Sequence, residues 1–306
     1  MTTGRYAPSP TGTFHLGNLR TAIAAWLYAT VDGGACLLRW EDLDLTASPE
    51  HEASQRADFE RLGLRFDGPE LRQSDRIEAY RDALYDLERR GLTYPCWCSR
   101  KDIREAPTAP HGPPGSYPGT CRDLTRAEVA QRRSTGRPPA IRLRADATAV
   151  TVIDRLNGEH TEIVDDFVVQ RFDATPAYNL AVVVDDAFQG VDQVVRGADL
   201  LASSPRHAYL HRVLGTPEPE WIHVPLVLDE HGDRLAKRDG SAGLDEWLAA
   251  GRTIGEFLSD VAVTFGLETP RETDLREIAA SFPPDAPPPA GRVTYDQGAG
   301  TLSLTA

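Results

Sequence analysis

The spacing of apolar positions changes along the chain, and each change predicts an element. Gly4 to Ala7 is a short run that ends in the turn-rich Pro8-Ser9-Pro10-Thr11-Gly12, so it predicts a strand. From Leu16 to Val31 the apolar residues Leu19, Ile23, Trp26 and Leu27 recur at helical spacing. Ala35 to Trp40 is apolar between Gly33-Gly34 and Glu41-Asp42, which predicts a buried strand. Strand, helix and strand at this spacing form a βαβ unit and hence a parallel sheet. Helices are predicted over Glu50 to Leu62 and Arg76 to Arg90, the second closed by Gly91.

Beyond residue 100 the pattern is less regular. Glu105 to Cys121 is rich in Pro and Gly and predicts a loop. Ala140 to Arg144 and Val150 to Ile153 predict a hairpin pair. Phe167 to Arg171, Ala181 to Val184 and Gln193 to Val195 return to a core pattern, although Tyr178 to Phe188 fits a helix as well as a strand. Helices are predicted over Pro205 to Leu214, Leu244 to Ala250, Ile254 to Phe265 and near Asp274 to Ala280. The run Pro283 to Pro289 breaks structure, and a loosely held tail is expected after it.

Composition narrows the function classes. The 306 residues are 41% apolar, enough for a sizeable core. A net charge of −13 argues against a protein that coats RNA through a global positive field. An RNA substrate stays open, because a basic patch can sit on an acidic body. No apolar run approaches the ~18 residues of a membrane span, and Met1 to Arg5 carry no signal-peptide pattern. A cytoplasmic protein without a membrane partner is expected. Four clustered cysteines then point to a metal or free thiols. Only Lys101 and Lys237 are lysines, so a lysine inside a motif carries information.

Three constellations carry chemistry. In Arg5-Tyr6-Ala7-Pro8-Ser9-Pro10-Thr11-Gly12-Thr13-Phe14-His15-Leu16-Gly17-Asn18 a strand delivers a tight turn and then a helix. A helix N-terminus offers free N–H groups and partial positive charge, which favour phosphate. Gly17 lets a ring or phosphate approach the backbone, and His15 can donate to a phosphate that gains charge. In Arg234-Leu235-Ala236-Lys237-Arg238-Asp239-Gly240 a flexible ammonium suits a phosphate clamp, though a solvated basic turn is the plainer reading of that loop alone. Cys96-Trp97-Cys98 with Cys121 is a weaker zinc pattern than two Cys-x-x-Cys pairs. Cys36 is read as a buried core thiol. Glu41, Asp42 and Asp44 form an acidic group that also fits a metal cluster, although Asp44 is better explained as a helix cap.

The first segment resembles the HIGH signature of class I aminoacyl-tRNA synthetases, in the RxAPSPTGxxHxGN form of glutamate-type enzymes. The second resembles the KMSKS loop of the same class, with Arg234 at the first lysine, Ala236 at the serine and Lys237 at the second lysine. The resemblance implies an α/β protein: a Rossmann-like catalytic domain with a parallel sheet over 1–93 and 166–240. It also implies a small inserted subdomain over 94–165, a short helical part over 241–282 and a Pro-rich tail over 283–306. His15 and Lys237 are implied as catalytic, and Pro8, His15, Gly17, Asn18, Arg234 and Lys237 as ATP-binding. Arg5, Ala7, Ser9, Glu41, Tyr178 and Arg196 are implied to line a glutamate pocket. The last two stand in Thr175 to Ala181 and Val194 to Asp199.

Cys-x-Cys followed by Tyr117-Pro118-Gly119-Thr120-Cys121 resembles the zinc motif of the glutamyl-Q tRNA(Asp) synthetases. One structural Zn²⁺ on Cys96, Cys98, Tyr117 and Cys121 is implied, with His111 as a substitute for the phenol. Only residues 241–306 follow the lysine loop, too few for the anticodon-binding region of a full glutamyl-tRNA synthetase. That family activates glutamate without tRNA and attaches it to queuosine in the anticodon of tRNA(Asp). The implied partners are ATP with Mg²⁺, L-glutamate and tRNA(Asp) bearing queuosine, acting on a monomer.

Overall fold

The computed structural model describes residues 1–105, 117–235, 243–286, 289, 291–296, 298 and 300–305. The chain opens with β1 (Thr3–Tyr6), α1 (Leu16–Thr30), β2 (Ala35–Trp40), α2 (Pro49–Leu62), β3 (Asp67–Arg72) and α3 (Ile77–Arg89). There follow β4 (Thr93–Cys96), α4 (Arg100–Glu105), α5 (Arg126–Ser134), β5 (Ala140–Leu143), β6 (Thr148–Asp154), β7 (Gly158–Val164) and β8 (Val168–Gln170). The next stretch is α6 (Tyr178–Gln189), β9 (Gln193–Gly197), α7 (Ser204–Leu214), β10 (Glu220–Val224) and β11 (Val227–Leu228). Last come α8 (Leu244–Ala249), α9 (Ile254–Val263), α10 (Leu275–Ser281), β12 (Arg292–Asp296) and β13 (Thr301–Thr305).

Seven strands form the central sheet in the order β3-β2-β1-β9-β10-β6-β7. All neighbours run parallel except the edge pair β6 and β7. Both faces are covered, as parallel sheets require. Val194 and Trp221 face the layer of α3, α6 and α7, while their neighbours Val195 and Ile222 face the layer of α1, α2 and α9. Helix α1 is buried almost all round and lies directly on β1. That approach depends on Gly4: a Cβ there would sit 2.7 Å from the Ala29 Cβ. Helix α2 starts at Ser48, whose hydroxyl accepts from the His51 N–H, with Pro49 in the first turn. Asp44, expected as that cap, instead closes the preceding turn through the Thr46 N–H and hydroxyl.

A separate antiparallel sheet, β4-β5-β8, stands beside the main one. The predicted hairpin of 140–144 with 150–153 is therefore wrong. Strand β5 pairs with β4 and β8, while β6 pairs with β7 and extends the main sheet through β10. Edge strand β7, Gly-Glu-His-Thr-Glu-Ile-Val, carries too few apolar positions to announce itself. Tyr178 to Gln189 resolves as a helix, ended by Gly190 in the left-handed region.

The tail is also not loosely held. Strands β12 and β13 form a hairpin that adds to β11 in a third sheet. Val293, Tyr295 and Leu302 enter the same core as α1 and α9. Burying three such side chains contributes roughly 5 kcal/mol before ordering entropy is charged. Leu302→Ala should lower unfolding stability by about 2–4 kcal/mol, read from a urea titration. A loosely held tail would leave the midpoint unchanged.

Candidate active site

Beside β1 the connections leave in opposite directions, to β2 on one side and to the later β9 on the other. In parallel α/β sheets the crevice at such a switch point, outside the carboxyl ends of the strands, takes ligands. Here it holds a cavity of about 520 Å³. Every described residue expected at the nucleotide or glutamate site lines it: Arg5, Ala7, Pro8, Ser9, His15, Gly17, Asn18, Glu41, Tyr178, Arg196 and Arg234. Lys237 lies outside the described residues, as does His111.

At one end of the cavity α1 begins. His15 is its N-cap: Nδ1 accepts from the Asn18 N–H at 3.3 Å, while Asn18 Oδ1 accepts from the His15 N–H at 3.2 Å. Because Nδ1 accepts, the proton of the neutral ring sits on Nε2, which makes that nitrogen the donor. Gly17 packs against this ring, since a Cβ would fall 3.0 Å from it. Gln55 of α2, missed in the sequence, donates to the Ser9 carbonyl at 3.1 Å and the Gly12 carbonyl at 2.8 Å and so sets the turn. Across the opening, Arg234 pairs with Asp199 at 2.5 Å.

At the other end lies a buried ion array. Asp186 of α6 takes Arg5 Nε at 3.1 Å and Arg39 Nη1 at 2.7 Å. Arg39 Nη2 continues to Glu41 at 3.2 Å, and its Nη1 also reaches Gln189 at 3.0 Å. Burial alone would raise the Asp186 carboxyl, but Arg39 and Arg5 outweigh it and hold it below the usual carboxylate range. Glu41 differs: burial raises its carboxyl, and Arg39 and Arg5 offset that only in part. Neither Arg39 nor Asp186 was singled out in the sequence, because each reads alone as an ordinary charge in a strand or helix.

Arg196 is buried at 5% exposure and held differently. Nε donates to His223 Nε2 at 2.9 Å, and Nη1 lies 3.1 Å from His207 Nδ1. Nη2 donates to Ser204 at 2.7 Å and to the Leu200 carbonyl at 3.3 Å. No carboxylate touches it among the described residues. Tyr178, 42% exposed, stands at the mouth beside it.

A second cavity, about 730 Å³, shares Ser9, Glu41 and Tyr178 with the first. Its far wall is the small sheet and its surroundings, with Arg100, Arg142 and Arg171. There the Cys96, Cys98 and Cys121 sulfurs lie within 4.8 Å of one another, and all three are free thiols. Cys98 Sγ is 3.6 Å from Cys121 Sγ, while the Tyr117 hydroxyl is 3.4 Å from Cys96 Sγ and 3.9 Å from Cys98 Sγ. A tetrahedral Zn²⁺ with ordinary bond lengths needs edges of about 3.5–3.8 Å, so the four groups fit that ion. The Arg142 guanidinium lies 3.7 Å from the Tyr117 ring centre, but burial and the neighbouring Cys96 push the phenol well above its ordinary range, so a bound metal would have to draw off its proton. Zinc bound there would tie β4 to the Tyr117–Cys121 turn. Among the described residues no other three His, Cys, Asp or Glu group in this way, so the acidic cluster of Glu41, Asp42 and Asp44 is not such a site.

The family profile for class I tRNA synthetases (E and Q), catalytic domain, matches residues 1–279. The chain belongs to this family. A glutamyl-Q tRNA(Asp) synthetase of Nocardia farcinica is 52% identical over 295 residues, covering 96% of this chain and 94% of that protein. One from Deinococcus radiodurans is 46% identical, covering 86% and 88%. The crystal structure of a glutamate tRNA ligase from Elizabethkingia meningosepticum with its amino acid superposes with a TM-score of 0.80 at 26% identity. It is covered over 66% of its length and covers 95% of this chain. The family's α/β catalytic fold and ligase class therefore apply here. Among the described residues no helix is long and apolar enough to cross a membrane.

The shared carboxylate gives a direct test of the array. Asp186→Asn leaves Arg5 and Arg39 buried without their common counter-ion and should cost about 3–5 kcal/mol of stability in chemical denaturation. A loss below about 1 kcal/mol would show that the two guanidiniums are compensated elsewhere.

Proposed function

We propose that the chain activates L-glutamate with ATP and then transfers the glutamyl group to queuosine in the anticodon of tRNA(Asp). The charge of the cavity wall carries the first half. Arg5, Arg196 and Arg234 are cationic and Glu41 and Asp199 anionic among its described side chains, so the wall is one charge positive. Glutamate bears one net negative charge and glutamine none, so the wall favours glutamate. Arg5 and Arg196 suit the γ-carboxylate and Glu41 the α-ammonium. Ala7 and Ser9 complete that pocket at the end of β1, and Tyr178 closes its mouth.

The adjoining start of α1 suits the triphosphate, with Pro8, Gly17 and Asn18 beside it. A glutamate α-carboxylate oxygen attacks the α-phosphorus. The bond to the β-phosphate oxygen breaks, and pyrophosphate leaves with that electron pair. His15 Nε2 donates to the phosphoryl oxygens as charge gathers there, and Lys237 and Arg234 steady the leaving phosphates. Mg²⁺ accompanies ATP and neutralises its phosphates when bound. A queuosine hydroxyl then attacks the acyl carbon, AMP departs, and the hydroxyl proton passes to a phosphate oxygen.

Three observations favour queuosine as the acceptor. The relatives named glutamyl-Q tRNA(Asp) synthetase are 42–52% identical. The second cavity opens beside the amino-acid pocket and carries Arg100 and Arg171 for an RNA backbone. The Cys96, Cys98, Tyr117 and Cys121 group would brace that wall with one Zn²⁺. The protein is taken to act as a cytoplasmic monomer. Labelled glutamate should appear on tRNA(Asp) that contains queuosine, away from the 3′-terminal adenosine. ATP–pyrophosphate exchange should need glutamate but no tRNA. Label on the 3′ end of tRNA(Glu) would reject this reading in favour of a minimal glutamyl-tRNA synthetase.

Glu41 also gives the reaction a pH signature. Its carboxyl titrates above the ordinary range, so falling pH removes the anion earlier than for an exposed glutamate. The dissociation constant for glutamate should rise about tenfold per pH unit below that point, by calorimetry. Glu41→Gln should weaken binding at neutral pH and flatten the dependence. An equally steep profile in that variant would remove Glu41 from the role.

A further inference from the structure

Arg5 and Arg196 face one cavity but are held by opposite means. Arg5 contacts a carboxylate directly at 3.1 Å. Behind Arg196 the order is guanidinium, imidazole, carboxylate, laid across three neighbouring parallel strands. Arg196 on β9 is the register partner of His223 on β10, and Trp221 on β10 is the partner of Asp154 on β6. His223 Nδ1 lies 2.6 Å from Asp154 Oδ2, and both side chains are fully buried.

The proton positions follow from valence. A guanidinium has only donors, so His223 Nε2, 2.9 Å from Arg196 Nε, must present its lone pair. The ring proton is then on Nδ1 and is donated to Asp154. The same reasoning applies to His207: Nδ1 accepts from Arg196 Nη1, so Nε2 donates to Asn179 Oδ1 at 2.9 Å. Burial lowers both imidazoles below their usual range, which keeps them neutral.

We propose that Asp154 and His223 are positioning residues for Arg196: the carboxylate selects the imidazole tautomer whose lone pair fixes the guanidinium, while the ring keeps the two charges apart. The arrangement solves a conflict. An arginine that receives a substrate carboxylate must be rigid, yet a protein carboxylate in contact with it would compete for its charge. Attraction falls with distance, so an interposed neutral ring keeps the orientation and spares more of the field for the ligand. Asp154 is itself anchored by other donors: the N–H groups of Leu156 and Asn157, the Asn157 amide and the His223 N–H. The competing view is that Asp154 merely closes the β6–β7 turn through those contacts. The inference rests on Arg196 contacting glutamate.

The test uses the whole protein labelled with ¹⁵N-histidine. Long-range ¹H–¹⁵N spectra of the unliganded protein should show His223 protonated on Nδ1. Asp154→Asn can present an N–H to Nδ1, which moves the proton to Nε2 and turns a donor toward Arg196. Its glutamate dissociation constant should rise roughly 10- to 100-fold with that for ATP unchanged, the scale of one buried bond to a charged group. In His223→Gln, an amide oxygen stands in for Nε2 without help from Asp154. In that background Asp154→Asn should weaken glutamate no further.

Equal losses in both backgrounds, a twofold or smaller change from Asp154→Asn, or wild-type His223 protonated on Nε2 would each overturn the proposal. If Asp154→Asn does not fold, His223→Gln and His223→Leu decide. Only the acceptor-bearing side chain should keep glutamate affinity, and equal affinities reject the idea. Unchanged glutamate affinity in Arg196→Lys would reject the pocket reading and the positioning role with it, whatever tautomer the spectra report.

Discussion

One buried carboxylate, Asp186, is shared by two guanidiniums, and the Arg5 end of the cavity depends on that sharing. Arg5 comes from β1, Arg39 from β2 and Asp186 from α6, so a single anion joins two neighbouring strands to the helix that covers them. Two buried cations on one anion would be an expensive arrangement alone. Glu41 completes it by closing on Arg39, which returns the buried set to charge balance. Among the described residues that line the cavity, Arg196 then stands as the cation without a contacting anion, and the sign of their summed charge comes from it. A similar device works one helical face away: Asp185 binds Arg76, Tyr80 and Gln73 and docks α3 on α6. Successive residues of one helix thus fix the pocket and the layer behind it.

The end of the cavity at the start of α1 was legible in the sequence because its parts are contiguous. A strand, a turn and a helix start within Arg5 to Asn18 cannot avoid meeting, and the side chains named there all line the cavity. Glu41, Tyr178 and Arg196, which line the same cavity, were picked out only because the surrounding motifs have a known order; taken singly each is an ordinary polar residue. Asp186, Arg39, His223 and Asp154 were not legible. Their roles arise from pairings between elements far apart in sequence, such as the partnership of His223 with Arg196, and no local period encodes those. The tail was misjudged for a related reason. Its proline run is a true breaker, but Val293, Tyr295 and Leu302 beyond it find an existing core.

The two cavities meet at Ser9, Glu41 and Tyr178, so the space is continuous from the start of α1 to Cys98 of the cysteine cluster. A path of this kind suits a reaction in two stages, where an activated acid waits in one chamber for a nucleophile from the other. It also explains why Tyr178 is exposed despite its apolar ring: it stands at the border of both spaces and belongs to the wall of each.

The C-terminal hairpin has a consequence for biosynthesis. Strand β11, which leads toward the lysine loop, takes its sheet neighbour from β12, more than sixty residues further along. A nascent chain that has released its first 285 residues already holds the described cavity side chains. It still lacks the partner that steadies β11. The bracing of β11 is thereby deferred to the last stretch of translation, and a message broken near its end yields a chain that carries every described cavity residue but leaves β11 without its β12 neighbour.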